Sequence, residues 1–277
     1  MRAWGRLFAS ETGLIFRRPR NLAMLSVLAL VPVLVGVALR LFGGAEETEA
    51  GPGGGPAIFA QVAGNGVFLT FAALALLVQL LLPVAVAVVA GDSVAGEAGG
   101  GTLRYLLTAP AGRARLLSVK YAGAVLFAFA AVGLVALSGL LTGLALFPTG
   151  PVTLLSGTTV PFAEGVLRLG FVVLYVTAGM AALAAVALAL STLTEAAIGA
   201  IAATVVLVIV TQVLGVVPQL SALQPYLLTS WWDGFDGVLR DPVAVADMGR
   251  GLLVFAAYTA VCGSFAWARF TSRDVTA

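Results

Sequence analysis

The chain has 277 residues, of which 60% are hydrophobic and 10% are charged, and its formal net charge is only +2. A soluble globular domain carries about 25% charged residues, so this composition excludes an ordinary water-soluble protein. The small net charge argues against nucleic-acid binding, and the absence of histidine excludes histidine-based metal sites and histidine general bases.

The N-terminal segment, residues 1–20, is basic and partly amphipathic. Four of its apolar residues can share one side of a helix: Trp4, Leu7, Phe8 and Ile15. This pattern predicts an interfacial N-terminal helix whose arginines lie near anionic headgroups; the alternative is a frayed basic tail that only fixes orientation. The apolar stretch that follows starts late and exceeds a signal-peptide core of about 7–15 residues, so we expect a retained span.

Apolar stretches of about 20 residues, the length that crosses a bilayer core, recur along the chain. They predict six transmembrane helices, over residues 22–42, 67–90, 116–147, 169–190, 196–217 and 252–267. The third is longer than a bilayer requires and is expected to tilt or project. Pro32 and Pro83 are expected to kink their spans. The predicted fold is therefore an all-α membrane protein with a single transmembrane domain over residues 1–277.

The basic residues predict the orientation of the spans. With the N-terminus inside, eleven of the fifteen lysines and arginines fall on the inner side, as the positive-inside rule requires of a cytoplasmic face. The outer side then holds only Arg40, Arg168, Arg240 and Arg250. We expect a multi-pass protein of the plasma (inner) membrane with both termini in the cytoplasm.

Two outer loops differ in character. Residues 43–66 are rich in glycine and glutamate, and a flexible loop is expected there. Residues 218–250 contain several leucines and aromatic residues. They predict short extracellular helices before the sixth span, with Trp231 and Trp232 at the level of the lipid headgroups.

The inner loop, residues 91–110, carries most of the information about function. Thr102 follows three glycines and can cap a short helix over residues 103–109, which Pro110 ends. In one interpretation this is an ordinary connection whose leucines rest on the headgroups. In the other it is a docking element that a soluble motor grips, with Asp92, Glu97 and Arg104 available to the partner.

The stretch from Glu97 to Tyr121 resembles the cytoplasmic signature of type-2 ABC (ATP-binding cassette) transporter permeases. Those proteins carry a glutamate, a short gap, Gly-Thr-Leu, an apolar pair, a proline, a basic stretch and Lys-Tyr or Lys-Phe. The six-span plan, the segment 226–233 and the tail 269–274 extend the resemblance in layout over the whole chain. Many members have a second acidic residue near the glutamate, where this chain has Ala98 and glycines.

The resemblance implies the membrane subunit of an ATP-driven exporter. ATP and Mg²⁺ would be bound by partner ATPase subunits, expected to number two, and this chain would bind no cofactor and catalyse no reaction. A second permease copy or a related permease would complete the complex within the lipid bilayer. The sequence agrees in lacking a P-loop, because its only lysine, Lys120, lies between Val119 and Tyr121 rather than after a glycine-rich turn.

Three sets of residues are candidates for function. The resemblance assigns coupling to the ATPase to Asp92, Glu97, Gly101, Thr102, Leu103, Arg104, Tyr105, Leu106, Leu107 and Pro110. Polar residues within spans that are suited to a translocation path are Gln79, Tyr175, Thr177 and Gln212, although interhelical hydrogen bonding is their commoner use. Gly199 with Ala203 and Gly139 with Gly143 form small-residue patterns that permit close helix approach. The resemblance implies that the first and fifth spans meet at a dimer interface, which favours Gly199 and Ala203 for that contact.

The alternative function is an ATP-independent secondary carrier or channel. A proton- or sodium-driven carrier usually needs an acidic residue near the middle of a span to bind the coupling ion. None of the six predicted spans has one. This favours an external source of energy, while the substrate is not predicted by the sequence.

Overall fold

The computed structural model describes residues 2–42, 65–100, 112–148 and 150–272, and this part of the chain is nearly all helical. Its α-helices are α1 (Arg2–Arg17), α2 (Pro19–Phe42), α3 (Val67–Gln79), α4 (Leu81–Gly99), α5 (Arg113–Leu146), α6 (Phe162–Leu193), α7 (Ala197–Val216) and α8 (Val245–Ser272). A small antiparallel hairpin, β1 (Val152–Thr153) and β2 (Thr159–Val160), joins α5 to α6. The 3₁₀ segments Pro218–Leu220, Gln224–Tyr226 and Thr229–Leu239 lie between α7 and α8.

Six helices of the described chain are long and apolar enough to cross a membrane, namely α2, α4, α5, α6, α7 and α8. The prediction of an all-α, multi-pass membrane protein is therefore confirmed. Helices α5 and α6 have 34 and 32 residues. At about 1.5 Å per residue, each of these helices is longer than the thickness of the hydrocarbon core, which is about 30 Å.

The second predicted span, residues 67–90, is interrupted rather than kinked. Helix α3 ends at Gln79, Leu80 has φ −143° and ψ −54°, and α4 begins at Leu81. The interruption lies next to Pro83. Its ring crowds the carbonyl of residue 79, and it lacks the N–H that this carbonyl would accept in a continuous helix.

Several helices extend beyond their predicted limits. Helix α6 begins at Phe162, and its first turns hold Glu164 and Arg168, which lie before the predicted start and form an ion pair four residues apart at 2.8 Å. Helix α4 continues to Gly99, so the first part of the predicted inner loop, 91–110, is helical.

The apolar core lies where α6 packs against α4, α5 and α8. Most residues of α6 are buried, whereas α2, α7 and α8 each bury only about a sixth of their apolar stretch. On α7, for example, the side chains of Ile198 and Val216 are 82% and 78% exposed. In a membrane-spanning chain such apolar surface faces hydrocarbon or another protein.

Both termini of the described chain lie at one end of the bundle. Trp4 on α1 donates a hydrogen bond to Ser118 near the start of α5, at 3.3 Å. Arg113 at the start of α5 donates to the carbonyl of Thr271 near the end of α8, at 3.0 Å. We call this the terminal end. The hairpin and the 3₁₀ segments, joined by the hydrogen bond from Leu155 N–H to the Leu239 carbonyl, form the opposite or hairpin end.

The structure buries one of the two tryptophans of the last outer loop inside the protein. Trp232 is 1% exposed and lies against α6, where a Cβ on Gly179 would be 3.1 Å from the indole Cδ1. Trp231 is half-buried and donates its indole N–H to the Pro225 carbonyl at 2.9 Å. The segment Thr229–Leu239 packs into the hairpin end of the bundle, so the Trp232 ring contacts protein, and the headgroup level of the two tryptophans stays a prediction.

Two glycines of α5 allow α3 to approach closely. A Cβ on Gly139 would lie 3.0 Å from the Cα of Thr70, and a Cβ on Gly143 would collide with the backbone of Gly66. Gly66 and Thr70 are four residues apart, as Gly139 and Gly143 are, so each glycine of α5 faces one residue of this pair. The close helix approach predicted from the small-residue pattern is thus present.

Replacement of Gly143 by alanine is expected to destabilise the protein by about 1–3 kcal/mol, because the new methyl group meets backbone atoms that cannot rotate away. Thermal unfolding in detergent measures this. The matched control is Gly133→Ala on the same helix, where a Cβ meets nothing within 4 Å. An equal loss of stability in both variants would contradict the close contact.

Candidate functional site

Six charged side chains meet at the terminal end of the bundle. They come from α1, the α1–α2 junction, α2, α4 and α5, and they are Glu11, Arg18, Arg20, Asp92, Glu97 and Lys120. We call them the ion-pair network. Three cations and three anions balance formally, which suits a site with little access to water.

Lys120 holds one half of the network together. Its Nζ lies 2.6 Å from Oε1 of Glu97 and 3.1 Å from Oε1 of Glu11, and its side chain is 2% exposed. Removing an ammonium group from water costs several kcal/mol, which only close and well-oriented partners offset. Lys120 therefore fixes α5 to α4 and to α1 at the same point.

Asp92 holds the other half of the network. Its Oδ2 accepts hydrogen bonds from Nη1 of Arg18 at 2.5 Å and from Nη2 of Arg20 at 2.8 Å. Asp92 is largely buried, whereas about half of each arginine side chain is exposed. Asp92 therefore joins the beginning of α2 to α4, five residues before Glu97.

The structure describes two of the predicted ATPase-coupling residues, Asp92 and Glu97. Both lie on α4 and form intramolecular ion pairs, and their availability to an ATPase stays a prediction. The other eight lie outside the described residues, together with the predicted coupling helix: Gly101, Thr102, Leu103, Arg104, Tyr105, Leu106, Leu107 and Pro110. Their role stays a prediction.

The ion-pair network lies at the base of the connection between α4 and α5. Glu97 comes shortly before residues 101–111 and Lys120 shortly after them, and the two side chains are in contact. The connection therefore starts and ends at two helices that are locked together. Through Glu11 the same point also holds the N-terminal helix.

The sequence did not reveal the four partners Glu11, Arg18, Arg20 and Lys120. One signal was present, because the only lysine of the chain lies inside the predicted span 116–147. A charge in such a position persists only with a partner. The identity of the partners depends on how α1, α4 and α5 pack, which periodicity alone does not give.

Two of the predicted translocation-path residues contact each other beside the interruption at Leu80. The Gln212 side-chain amide on α7 donates to the backbone carbonyl of Gln79, the group that Pro83 leaves without its helical partner. The Gln79 side chain in turn donates to Oδ2 of Asp233 at 2.7 Å. Both glutamines thus form hydrogen bonds between elements of the protein, which is the alternative to a translocation path that the sequence left open.

The other two predicted path residues lie on α6. Tyr175 donates its hydroxyl to the Trp231 carbonyl at 2.9 Å. Thr177 is 8% exposed, and its hydroxyl finds no hydrogen-bond partner within the part of the chain that the structure describes. A role of the four residues in translocation stays a prediction.

A second carboxyl group lies near Asp233 in the segment Thr229–Leu239. In a 3₁₀ helix residues three apart lie on the same side, which brings Asp236 close to Asp233. Burial and, to a smaller extent, the charge of Asp233 raise the pKa of Asp236 to about 6, and Arg240 opposes this shift. Asp236 therefore changes its charge close to neutral pH.

The predicted dimer-interface residues, Gly199 and Ala203, are exposed on α7. A Cβ on Gly199 would meet only atoms of the neighbouring turn, at Thr194 and Ala196. The surface is apolar and open within this single chain, and a second copy there stays a prediction.

Comparison with known proteins gives one family and one curated relative. The model of a family described as "Protein of unknown function (DUF2705)" matches residues 57–276. The "Probable ABC transporter permease protein NosY" of Pseudomonas aeruginosa is 38% identical over 120 residues, which is 43% of this chain and 44% of the relative. The matched part therefore spans less than half the length of that relative.

Replacement of Lys120 by methionine is expected to lower the free energy of unfolding by about 3–5 kcal/mol, because two largely buried carboxylates lose their counter-charge. Denaturation in detergent measures this. Adding Glu11→Gln and Glu97→Gln should restore most of the loss, since no uncompensated charge remains. Arg250→Met, which removes an exposed 3.6 Å pair with Asp247, is the control and should change stability by less than about 0.5 kcal/mol. No restoration in the triple variant would contradict the role of Lys120.

Replacement of Gln212 by leucine should destabilise the protein by about 0.5–2 kcal/mol, because the Gln79 carbonyl loses its donor inside the bundle. In a Pro83→Ala background the loss should be smaller, since residue 83 then has an N–H that this carbonyl can accept. A double-mutant cycle on unfolding in detergent gives the coupling energy. Additive effects of the two replacements would show that Gln212 does not compensate for Pro83.

Proposed function

This chain belongs to the DUF2705 family, whose description assigns no activity, and we propose that it is the membrane-spanning permease subunit of an ATP-driven transporter. Three observations support the proposal. The described part of the chain has six helices that can cross a membrane, residues 97–121 resemble the cytoplasmic signature of type-2 ABC permeases, and the curated relative is named a probable ABC transporter permease.

The observation that carries the proposal is the ion-pair network at the base of residues 101–111. A partner that moves this connection acts on α4 and α5 together, because Glu97 and Lys120 hold them in contact. Glu11 extends the linkage to α1, and Asp92 extends it to the start of α2. Such a linkage suits the transmission of movement from a soluble motor to several spans.

In this proposal the motor is a pair of ATPase subunits that bind ATP and Mg²⁺. The helix predicted over residues 103–109 docks on the ATPase, with Arg104 in polar contact and Leu106 and Leu107 in an apolar groove. The terminal end then faces the cytoplasm, the complex lies in the plasma membrane, and transport is outward. A second permease, identical or related, packs against the face of α7 that carries Gly199 and Ala203.

The alternative is a secondary carrier or channel that works without ATP. Glu164 and Asp247 lie in the first turns of α6 and α8, and Glu97 lies near the end of α4. Asp92 lies near the middle of α4, but it pairs with Arg18 and Arg20 and so lies at the level where α2 begins. A coupling ion would need an acid deeper in the bilayer, so the distribution favours an external motor. A full rate of transport in ATP-depleted vesicles that contain this chain alone would favour the carrier instead.

Replacement of Arg104 by glutamate is expected to reduce association with the ATPase, and the hydrolysis that depends on it, by about tenfold, which corresponds to about 1.4 kcal/mol. Co-purification and ATPase assays of the reconstituted complex measure this. Arg104 is a cleaner test than Glu97, because replacement of Glu97 also breaks its pair with Lys120.

The matched control for that test is Arg240→Glu, which reverses an exposed arginine at the hairpin end. It should leave association unchanged, because the ATPase is expected at the terminal end. Unchanged association and hydrolysis in Arg104→Glu would contradict the docking role of the α4–α5 connection.

A further inference from the structure

We propose that the junction between α1 and α2 is a binding site for the headgroup of an anionic phospholipid. The residues that would hold the phosphate are Arg18 and Arg20, and Asp92 would compete with it. This site goes beyond the transport function proposed above and does not depend on it, because the chain alone carries all the groups that the site needs.

The first argument is the local charge. Arg18 and Arg20 both donate to the same atom, Oδ2 of Asp92, at 2.5 and 2.8 Å. Two guanidinium groups therefore lie next to each other and share one carboxylate, so this half of the ion-pair network has one excess positive charge. The second carboxylate at Lys120 balances it formally in the other half. Arg17 adds a third positive charge beside them. The nearest other acid on α1, Glu11, is already paired with Lys120.

The second argument is the supply of hydrogen-bond donors. Each arginine has five N–H donors, and about half of each of the two side chains is exposed. A phosphodiester offers two charged oxygens that accept from neighbouring guanidinium groups, often two at a time. The pair of arginines thus has both the charge and the geometry to bind one phosphate.

The third argument selects a lipid rather than a free phosphate. Arg18 and Arg20 flank Pro19, the first residue of the 24-residue span α2. Basic residues at the end of a span lie at headgroup level, where each adds about 1 kcal/mol of attraction to anionic lipid. Leu14 and Leu22 lie close by in the chain and are 56% and 48% exposed. They provide apolar surface for the acyl chains.

The competition with Asp92 gives the site a distinctive signature. If the ion pairs were only structural, loss of the arginines and loss of Asp92 would have the same effect, because either change breaks the same bonds. If the arginines bind lipid, the two changes act in opposite directions. Removal of the arginines abolishes the site, whereas removal of Asp92 releases donors to the phosphate.

The test uses the full chain, purified in detergent and delipidated, without any ATPase. Phosphatidylglycerol or phosphatidylcholine is titrated, and native mass spectrometry measures the fraction of chains that retain one lipid. We expect tighter binding of phosphatidylglycerol, at least about tenfold weaker binding in the variant Arg18→Gln with Arg20→Gln, and tighter binding in Asp92→Asn. The control, Arg240→Gln with Arg250→Gln at the hairpin end, should bind like the unaltered chain.

Four results would overturn the proposal. They are equal binding of the two lipids, weaker phosphatidylglycerol binding in Asp92→Asn, unchanged phosphatidylglycerol binding in the double arginine variant, and displacement of the lipid by an equal concentration of glycerol phosphate. The third would show that the arginines do not hold the phosphate, and the fourth would assign the site to a soluble phosphate. If Asp92→Asn does not fold, Asp92→Ser serves in its place. None of these results bears on the ATPase coupling tested through Arg104.

Discussion

The terminal end of the bundle depends on one buried ammonium group, that of Lys120, held between carboxylates of α1 and α4. Buried ion pairs add little net stability compared with apolar packing, but breaking one is costly. Because breaking such a pair is costly, only one arrangement of the helices pairs every charge of the network. The network therefore specifies how α1 and α4 dock on α5, while apolar burial and the glycine contacts between α3 and α5 supply most of the packing.

At the hairpin end, amide side chains rather than charged groups provide hydrogen-bond partners for polar groups inside the bundle. A polar group within the bilayer core needs a partner inside the protein, and Pro83 leaves the carbonyl of Gln79 without its helical one. Gln212, from a helix far away in sequence, supplies the donor, and Asp233 accepts from the side chain of Gln79. An interruption that would be costly in an isolated span is thereby tolerated where three elements of the chain meet.

The sequence predicts the spans well because the length of an apolar stretch and its charge determine where a span lies, and both are local properties. It predicts Pro83 as a disturbance, but it does not show that the helix stops at Leu80 or that Gln212 donates to the freed carbonyl. The same limit applies to Lys120, whose burial inside an apolar stretch is visible while its partner Glu11 lies 109 residues away. Trp232 resembles an interfacial residue in sequence, and only the packing of its segment against α6 buries it.

The helices fall into two groups, and the polar features lie where the groups meet. Helices α1, α2 and α3 pack mainly on α5, whereas α4 packs mainly on α6 and α7. The interruption at Leu80 is the point at which the chain passes from the first group to the second. At the terminal end, Lys120 and Asp92 join the groups again through ion pairs. Relative movement of the two groups must therefore bend the chain near Leu80 and rearrange the network. In the proposed function, a partner that binds residues 101–111, which connect α4 to α5, acts on both groups at once.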